Sequence, residues 1–314
     1  MRAATGLRQH PLKLGLITGI LALSAPAAHV ATSSPERVLA STTTPVASVG
    51  IVKESITFID HSRPTPARGT VAAKPDRVLV TEIRRPARWT GRLGIVVFAH
   101  GWDSNPGVYE PLLDAWAEAG YFVAAPVLPS SSNLLPGTPV SDYAGQARDV
   151  SFVLTSVLRR FAKIIDPNRI AVAGHSDGGT DVALLALNPA YYDARARAFL
   201  SLSGEIPADI GGPWNATNRG SLLVTVGTED QFGLYPLATK EFNQAAMTKV
   251  MIVVEGGDHL GPYVGSSPTS VALRAETVRF LNAALNPGPA SVARLRAALL
   301  PAGSSQLHVV ADAG

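Results

Sequence analysis

Val172-Ala173-Gly174-His175-Ser176-Asp177-Gly178-Gly179 is an apolar run that ends in a glycine-flanked serine and passes at once into a helical pattern. Ile170 to Ala173 suits a buried strand and Thr180 to Leu187 suits a helix, which sets Ser176 on the abrupt turn between them. A residue held in a strained turn brings its neighbours two positions away against the strand and the helix, where only very small side chains fit. Gly174 and Gly178 are those neighbours, so Ser176 is a candidate nucleophile.

Outward from that turn the same pattern repeats. Gly94 to Ala99 and Tyr121 to Val127 precede it as short apolar runs, and Phe199 to Ser203, Ser221 to Val226 and Val250 to Val254 follow it. Helical segments lie between them: about Val108 to Ala119, Ser141 to Phe161, Leu237 to Ala246 and Ser270 to Asn286. Continuous apolar strands alternating with amphipathic helices predict a parallel sheet covered on both faces. Ahead of it, Ile51 to Ile59 and Arg77 to Ile83 read as two antiparallel edge strands, with Pro64, Pro66 and Gly69 in the connection. Beyond residue 287 only Ser291 to Leu300 shows an amphipathic pattern, and the polar tail after it carries none.

In a parallel sheet the loops after the strand C-termini collect on one edge, where ligands bind. Ser176 follows one strand, Gly227-Thr228-Glu229-Asp230 follows another, and Glu255-Gly256-Gly257-Asp258-His259 follows the last. The chain order Ser, Asp, His is that of one fold. The sequence resembles the α/β-hydrolase superfamily in His100-Gly101, the 174–179 turn, Gly227 to Asp230 and Asp258-His259, over roughly residues 51–287. Within it, Asp60-His61-Ser62-Arg63-Pro64 is similar to the secreted dienelactone hydrolase-like, chlorophyllase-like and platelet-activating-factor-acetylhydrolase-like esterases. The resemblance implies a mostly parallel sheet of about eight strands with helices on both faces. It implies Ser176 as nucleophile, His259 as general base and Asp230 as the acid orienting it.

The chemistry is intelligible residue by residue. A serine hydroxyl needs a base to take its proton as it attacks a carbonyl, histidine titrates in the right range, and a carboxylate fixes the imidazole tautomer. Of seven histidines, His10, His29, His61 and His308 lie away from the sheet edge, while His100 and His175 are expected in structural or pocket-lining roles. Glu205, after the strand Phe199 to Ser203, is the alternative acid; Glu229 is expected to face solvent and Asp258 to be a loop carboxylate. By the resemblance, the backbone N–H groups of Trp102 and Asp177 form the oxyanion hole. The Trp102 side chain either walls an acyl pocket or packs beneath its loop, and Tyr109 and Tyr121 are further lining candidates.

Composition bounds the rest. Apolar residues make up 46% and charged residues 16% of 314 residues, which suits an ordinary globular chain. Of 27 basic residues, Arg2, Arg8 and Lys13 lie in the first 27 positions, which carry no acidic residue; the remaining 24 balance 24 acidic ones. The net charge of +3 therefore gives no case for nucleic acid or acidic lipid. The basic start, the apolar stretch Leu14 to Leu23 and Ser24-Ala25-Pro26-Ala27-Ala28 read as a secretory signal over residues 1–28, followed by a Ser/Thr/Ala/Pro linker over 29–50. The alternative is a retained anchor, or cleavage near Ala31. A domain at 51–287 and an extension at 288–314 complete the expected organisation. With no cysteine there is no disulfide, thiol nucleophile or thiolate metal site, and no His-x-x-x-His spacing occurs, so no metal or cofactor is expected. Only residues 204–220 separate two strands, so little or no lid is expected and the loop 130–139 is expected to help cover an open cleft. The expected activity is a secreted carboxylic ester hydrolase on small or polymeric esters without stable membrane insertion, with a peptidase or amidase, or a non-catalytic binding protein, as alternatives.

Overall fold

Side chains of successive strand residues point to opposite faces, so each buried parallel strand feeds two cores at once. In β3 (Leu93–Ala99), Ile95 and Val97 join one core while Val96 and Phe98 join the other. In β5 (Ile165–His175), Ile170 and Val172 divide from Ala171 and Ala173 in the same way. The computed structural model describes residues 50–215, 220–286, 292–299 and 306–312. The expected signal at 1–28 and linker at 29–50 lie outside the described residues, apart from Gly50.

Seven further strands complete the sheet: β1 (Ile51–Asp60), β2 (Arg77–Pro86), β4 (Tyr121–Pro126), β6 (Ala198–Leu202), β7 (Ser221–Gly227), β8 (Thr248–Val254) and β9 (Leu307–Asp312). The spatial order is β1-β2-β4-β3-β5-β6-β7-β8-β9. The stretch from β4 to β8 is parallel throughout, and β1, β2 and β9 are antiparallel to their neighbours. This is the α/β-hydrolase architecture. The expected mostly parallel sheet of about eight strands is present with nine, the last added where the tail pairs with β8 from Val254↔Leu307 to Lys249↔Asp312. One expectation is corrected. Only β1 is an edge on its side, since β2 lies between β1 and β4.

One core is roofed by α2 (Tyr143–Arg160), α3 (Asp177–Leu187) and α4 (Leu234–Gln244). The other is roofed by α1 (Glu110–Glu118), α5 (Gly261–Val264), α6 (Pro268–Leu285) and α7 (Val292–Ala298). Caps fix where the long helices start: the Asp142 carboxylate accepts from the Gly145 N–H, and the Ser267 hydroxyl accepts from the Ser270 N–H. Burying each Val, Leu or Ile side chain contributes about 1.5–3 kcal/mol, so the doubled core dominates stability and holds the strand ends rigid. Among the described residues no helix is long and apolar enough to cross a membrane.

Candidate active site

The β5–α3 junction is a tight elbow. Ser176 has φ 57° and ψ −120°, and its N–H is held by the Leu202 carbonyl at 2.9 Å. A Cβ on Gly174 would be driven into the Gly178 carbonyl, and one on Gly178 into the carbonyl of Ala99. Close backbone approach therefore accounts for both glycines. Three described residues other than glycine have positive φ, namely Asp103, Ser176 and Ser203, and all three line one cavity. Such strain persists only where the surroundings over-determine it, and it clusters at functional sites.

That cavity, about 500 Å³, opens at the C-terminal ends of the parallel strands. Ser176, His259 and Asp230 come together there. Ser176 Oγ lies 2.9 Å from His259 Nε2, and His259 Nδ1 lies 2.7 Å from Asp230 Oδ2. A carboxylate only accepts, so Nδ1 carries the hydrogen and Nε2 is left as the acceptor for the serine hydroxyl. His259 and Asp230 are buried, and the other Asp230 oxygen accepts from the Phe232 N–H at 3.0 Å. The Gln231 side chain holds the His259 backbone, its Oε1 accepting from the His259 N–H at 3.1 Å.

Glu205 reaches the same cavity, but among the described residues it makes no hydrogen bond to His259, and its backbone N–H is engaged by the Thr180 hydroxyl. Burial holds its carboxyl above the usual range, and Asp177 and Asp209 push in the same direction. Glu229 is exposed, and the Asp258 carboxylate caps Leu260 and Gly261 N–H groups. Asp177 opens α3, so its N–H has no intrahelical acceptor, and it lines the cavity together with Trp102. Burial also raises the Asp177 carboxyl, which accepts from the Ser141 hydroxyl at 2.7 Å.

Trp102 is 49% exposed at the cavity, so of its two expected side-chain roles the wall is the one that fits. Tyr109 lines the cavity; Tyr121 does not, its hydroxyl donating instead to Asn282. His100 is buried and neutral, its ring pushed down to about 4 by burial, and it bridges Gly101 to the Leu128 N–H. The loop 130–139 is corrected from cover to prop: it forms none of the wall, while Ser131 accepts from the Asp103 N–H and Ser132 bridges to Ser104. Sequence reasoning missed Phe232, whose ring stands edge-on to His259 at 4.6 Å, and Tyr143. An aromatic two residues after Asp230 was the available signal for the first. Among the described residues, no group of three or more His, Cys, Asp or Glu is arranged to hold a metal ion.

The family model described as Chlorophyllase matches residues 42–209. The matched region holds the Asp60 to Pro64 stretch, Trp102 and Ser176, whereas Asp230 and His259 lie beyond it. No curated protein matches the chain.

Proposed function

The chain belongs to the chlorophyllase family, serine ester hydrolases of the α/β-hydrolase type, and we propose that it is a secreted carboxylic ester hydrolase working through an acyl-serine. The observation that carries this reading is the unbroken series from Ser176 Oγ to His259 Nε2 at 2.9 Å and from His259 Nδ1 to Asp230 at 2.7 Å. Ser176 Oγ attacks the ester carbonyl carbon while His259 Nε2 takes its proton. The N–H groups of Asp177 and Trp102 hold the oxyanion that forms. The bond to the alcohol breaks as His259 returns the proton to the leaving oxygen, and water then opens the acyl-serine by the same sequence, releasing the acid. Asp230 keeps the imidazole in the required tautomer and stabilises its charged form. The open cleft favours accessible esters, small or polymeric, and secretion rests on the leader pattern of residues 1–28.

A fluorophosphonate probe tests the reading directly. Wild type is expected to be labelled once, and Ser176→Ala and His259→Ala to lose labelling and about 10⁴-fold or more of p-nitrophenyl ester turnover. An unlabelled wild type would show the fold serving binding alone. Faster cleavage of an amide than of its matched ester would move the chain to the amidases.

A further inference from the structure

His175 sits inside the elbow, and its ring is buried. Its Nε2 lies 2.8 Å from the backbone carbonyl of His259. A carbonyl only accepts, so Nε2 carries the hydrogen. Burial, reinforced by the neighbouring His259, pushes the His175 ring down to about 3, so it is neutral and Nδ1 is an acceptor. The Tyr109 hydroxyl, 2.8 Å away, must therefore donate to Nδ1, and its oxygen is free to take the Gly101 N–H at 3.3 Å. The direction of every hydrogen bond in this series is fixed. The ring is also clamped by its faces and edges, with centroids 4.7 Å from His259, 4.7 Å from Tyr263 and 5.4 Å from Tyr109.

We propose that His175 is a positioning residue, which with Tyr109 ties the loop carrying the oxyanion donor to the backbone of the general base. The inference rests on the hydrolase reading of Ser176 and His259. Trp102 follows Gly101 directly, and His259 ends a glycine-containing loop, so the two sides of the reaction centre lie on separate loops. A misplacement of about 1 Å between such groups costs on the order of 10²-fold in rate. The series through Tyr109 and His175 spans that gap. Neutrality of the ring is part of the device, since a second charge with its ring centred 4.7 Å from that of His259 would oppose formation of the imidazolium during attack.

Steady-state kinetics on a p-nitrophenyl ester, with thermal melting of each variant of the full chain, test this. Tyr109→Phe keeps the ring that packs on Phe98 at 4.9 Å and removes only the hydroxyl. Its kcat is expected to fall about tenfold with KM within twofold, while the melting temperature falls by only a few degrees and the variant stays fully folded at the assay temperature. His175→Leu removes both bonds and is expected to lose about 100-fold in kcat. His175→Gln, which keeps an N–H able to reach the His259 carbonyl, is expected to recover much of that loss. Tyr109→Phe with wild-type kcat overturns the proposal, as does a Gln variant no better than the Leu variant when both fold. Should His175→Leu fail to fold, the Tyr109→Phe result decides alone. A wild type inert to every ester and to the fluorophosphonate removes the hydrolase reading and this proposal together, whereas an active wild type matched by Tyr109→Phe overturns only the proposal.

Discussion

Asp230 and Glu205 separate two jobs that a carboxylate can do in one cleft. Asp230 is buried against His259 Nδ1, where loss of its charge frees the imidazole to take the wrong tautomer. Asp230→Asn is expected to lower kcat by about 10³–10⁴-fold. Glu205 instead joins Asp103 and Asp177 in the cavity wall, which includes no lysine or arginine among the described residues. A like-charged wall repels an anionic ester, so Glu205→Gln is expected to leave kcat on neutral esters unchanged and to lower KM a few-fold for an ester bearing a carboxylate. Kinetics on a matched neutral and anionic pair check both claims; a collapse of activity in Glu205→Gln would reverse the assignment of the acid. The chain order of Ser, Asp and His was legible because each follows an apolar strand. The preference for Asp230 over Glu205 came from the resemblance and not from the strand pattern, because both follow strands in the same sheet; the 2.7 Å from Asp230 to the imidazole agrees with it.

At the scale of elements, burial pattern was readable wherever a strand lies between two helix layers, as Ile95 to Ala99 does. Boundaries shifted where a local rule misled. Helix α4 starts at Leu234, three residues before the expected Leu237, because Pro236 is tolerated in a first turn that needs no N–H from it. Strand β9 was unreadable for a different reason: its identity comes from pairing with β8, about 55 residues away, and not from its own composition. The Asp60 to Pro64 stretch lies within the region the family model matches yet outside the cavity, and its chemistry is structural. Ser62 and Arg63 bond to the buried Asp60, and Arg63 and Arg77 both pair with Asp149 of α2, which is fully buried. These contacts tie the β1–β2 hairpin to the helix. Asp149→Asn takes one of two carboxylate partners from each guanidinium, Arg63 keeping Asp60 and Arg77 keeping Asp142, and a loss of about 2 kcal/mol is expected in denaturant unfolding. Fluorophosphonate labelling of the still-folded variant should be retained, since the network touches none of the reacting groups.

For the whole molecule, the same burial that secures the strand ends also stores a pH-dependent cost. Glu241 of α4 is fully buried, with Oε2 accepting from the Ser201 hydroxyl at 2.9 Å and Oε1 without a partner. Burial raises its carboxyl from an ordinary 4.5 to about 8; the Ser201 bond opposes the rise and Glu205 adds to it. Asp181 of α3, also fully buried, is raised in the same direction. A raised acid is protonated in the fold at pH values where the unfolded chain has already released its proton. The unfolded state therefore binds fewer protons, and stability falls as pH rises from about 4.5 to about 8, by about 1.4 kcal/mol per pH unit from Glu241 alone. Below that window the cost is absent, and above it the cost is constant. Glu241→Gln keeps the side-chain shape and an acceptor for Ser201 but cannot ionise. Thermal unfolding from pH 5 to pH 9 is expected to show the variant close to wild type at pH 5 and clearly more stable at pH 8, with a residual slope from Asp181 in both. An offset of the same size at every pH would mean that Glu241 acts through packing and that its ionisation plays no part.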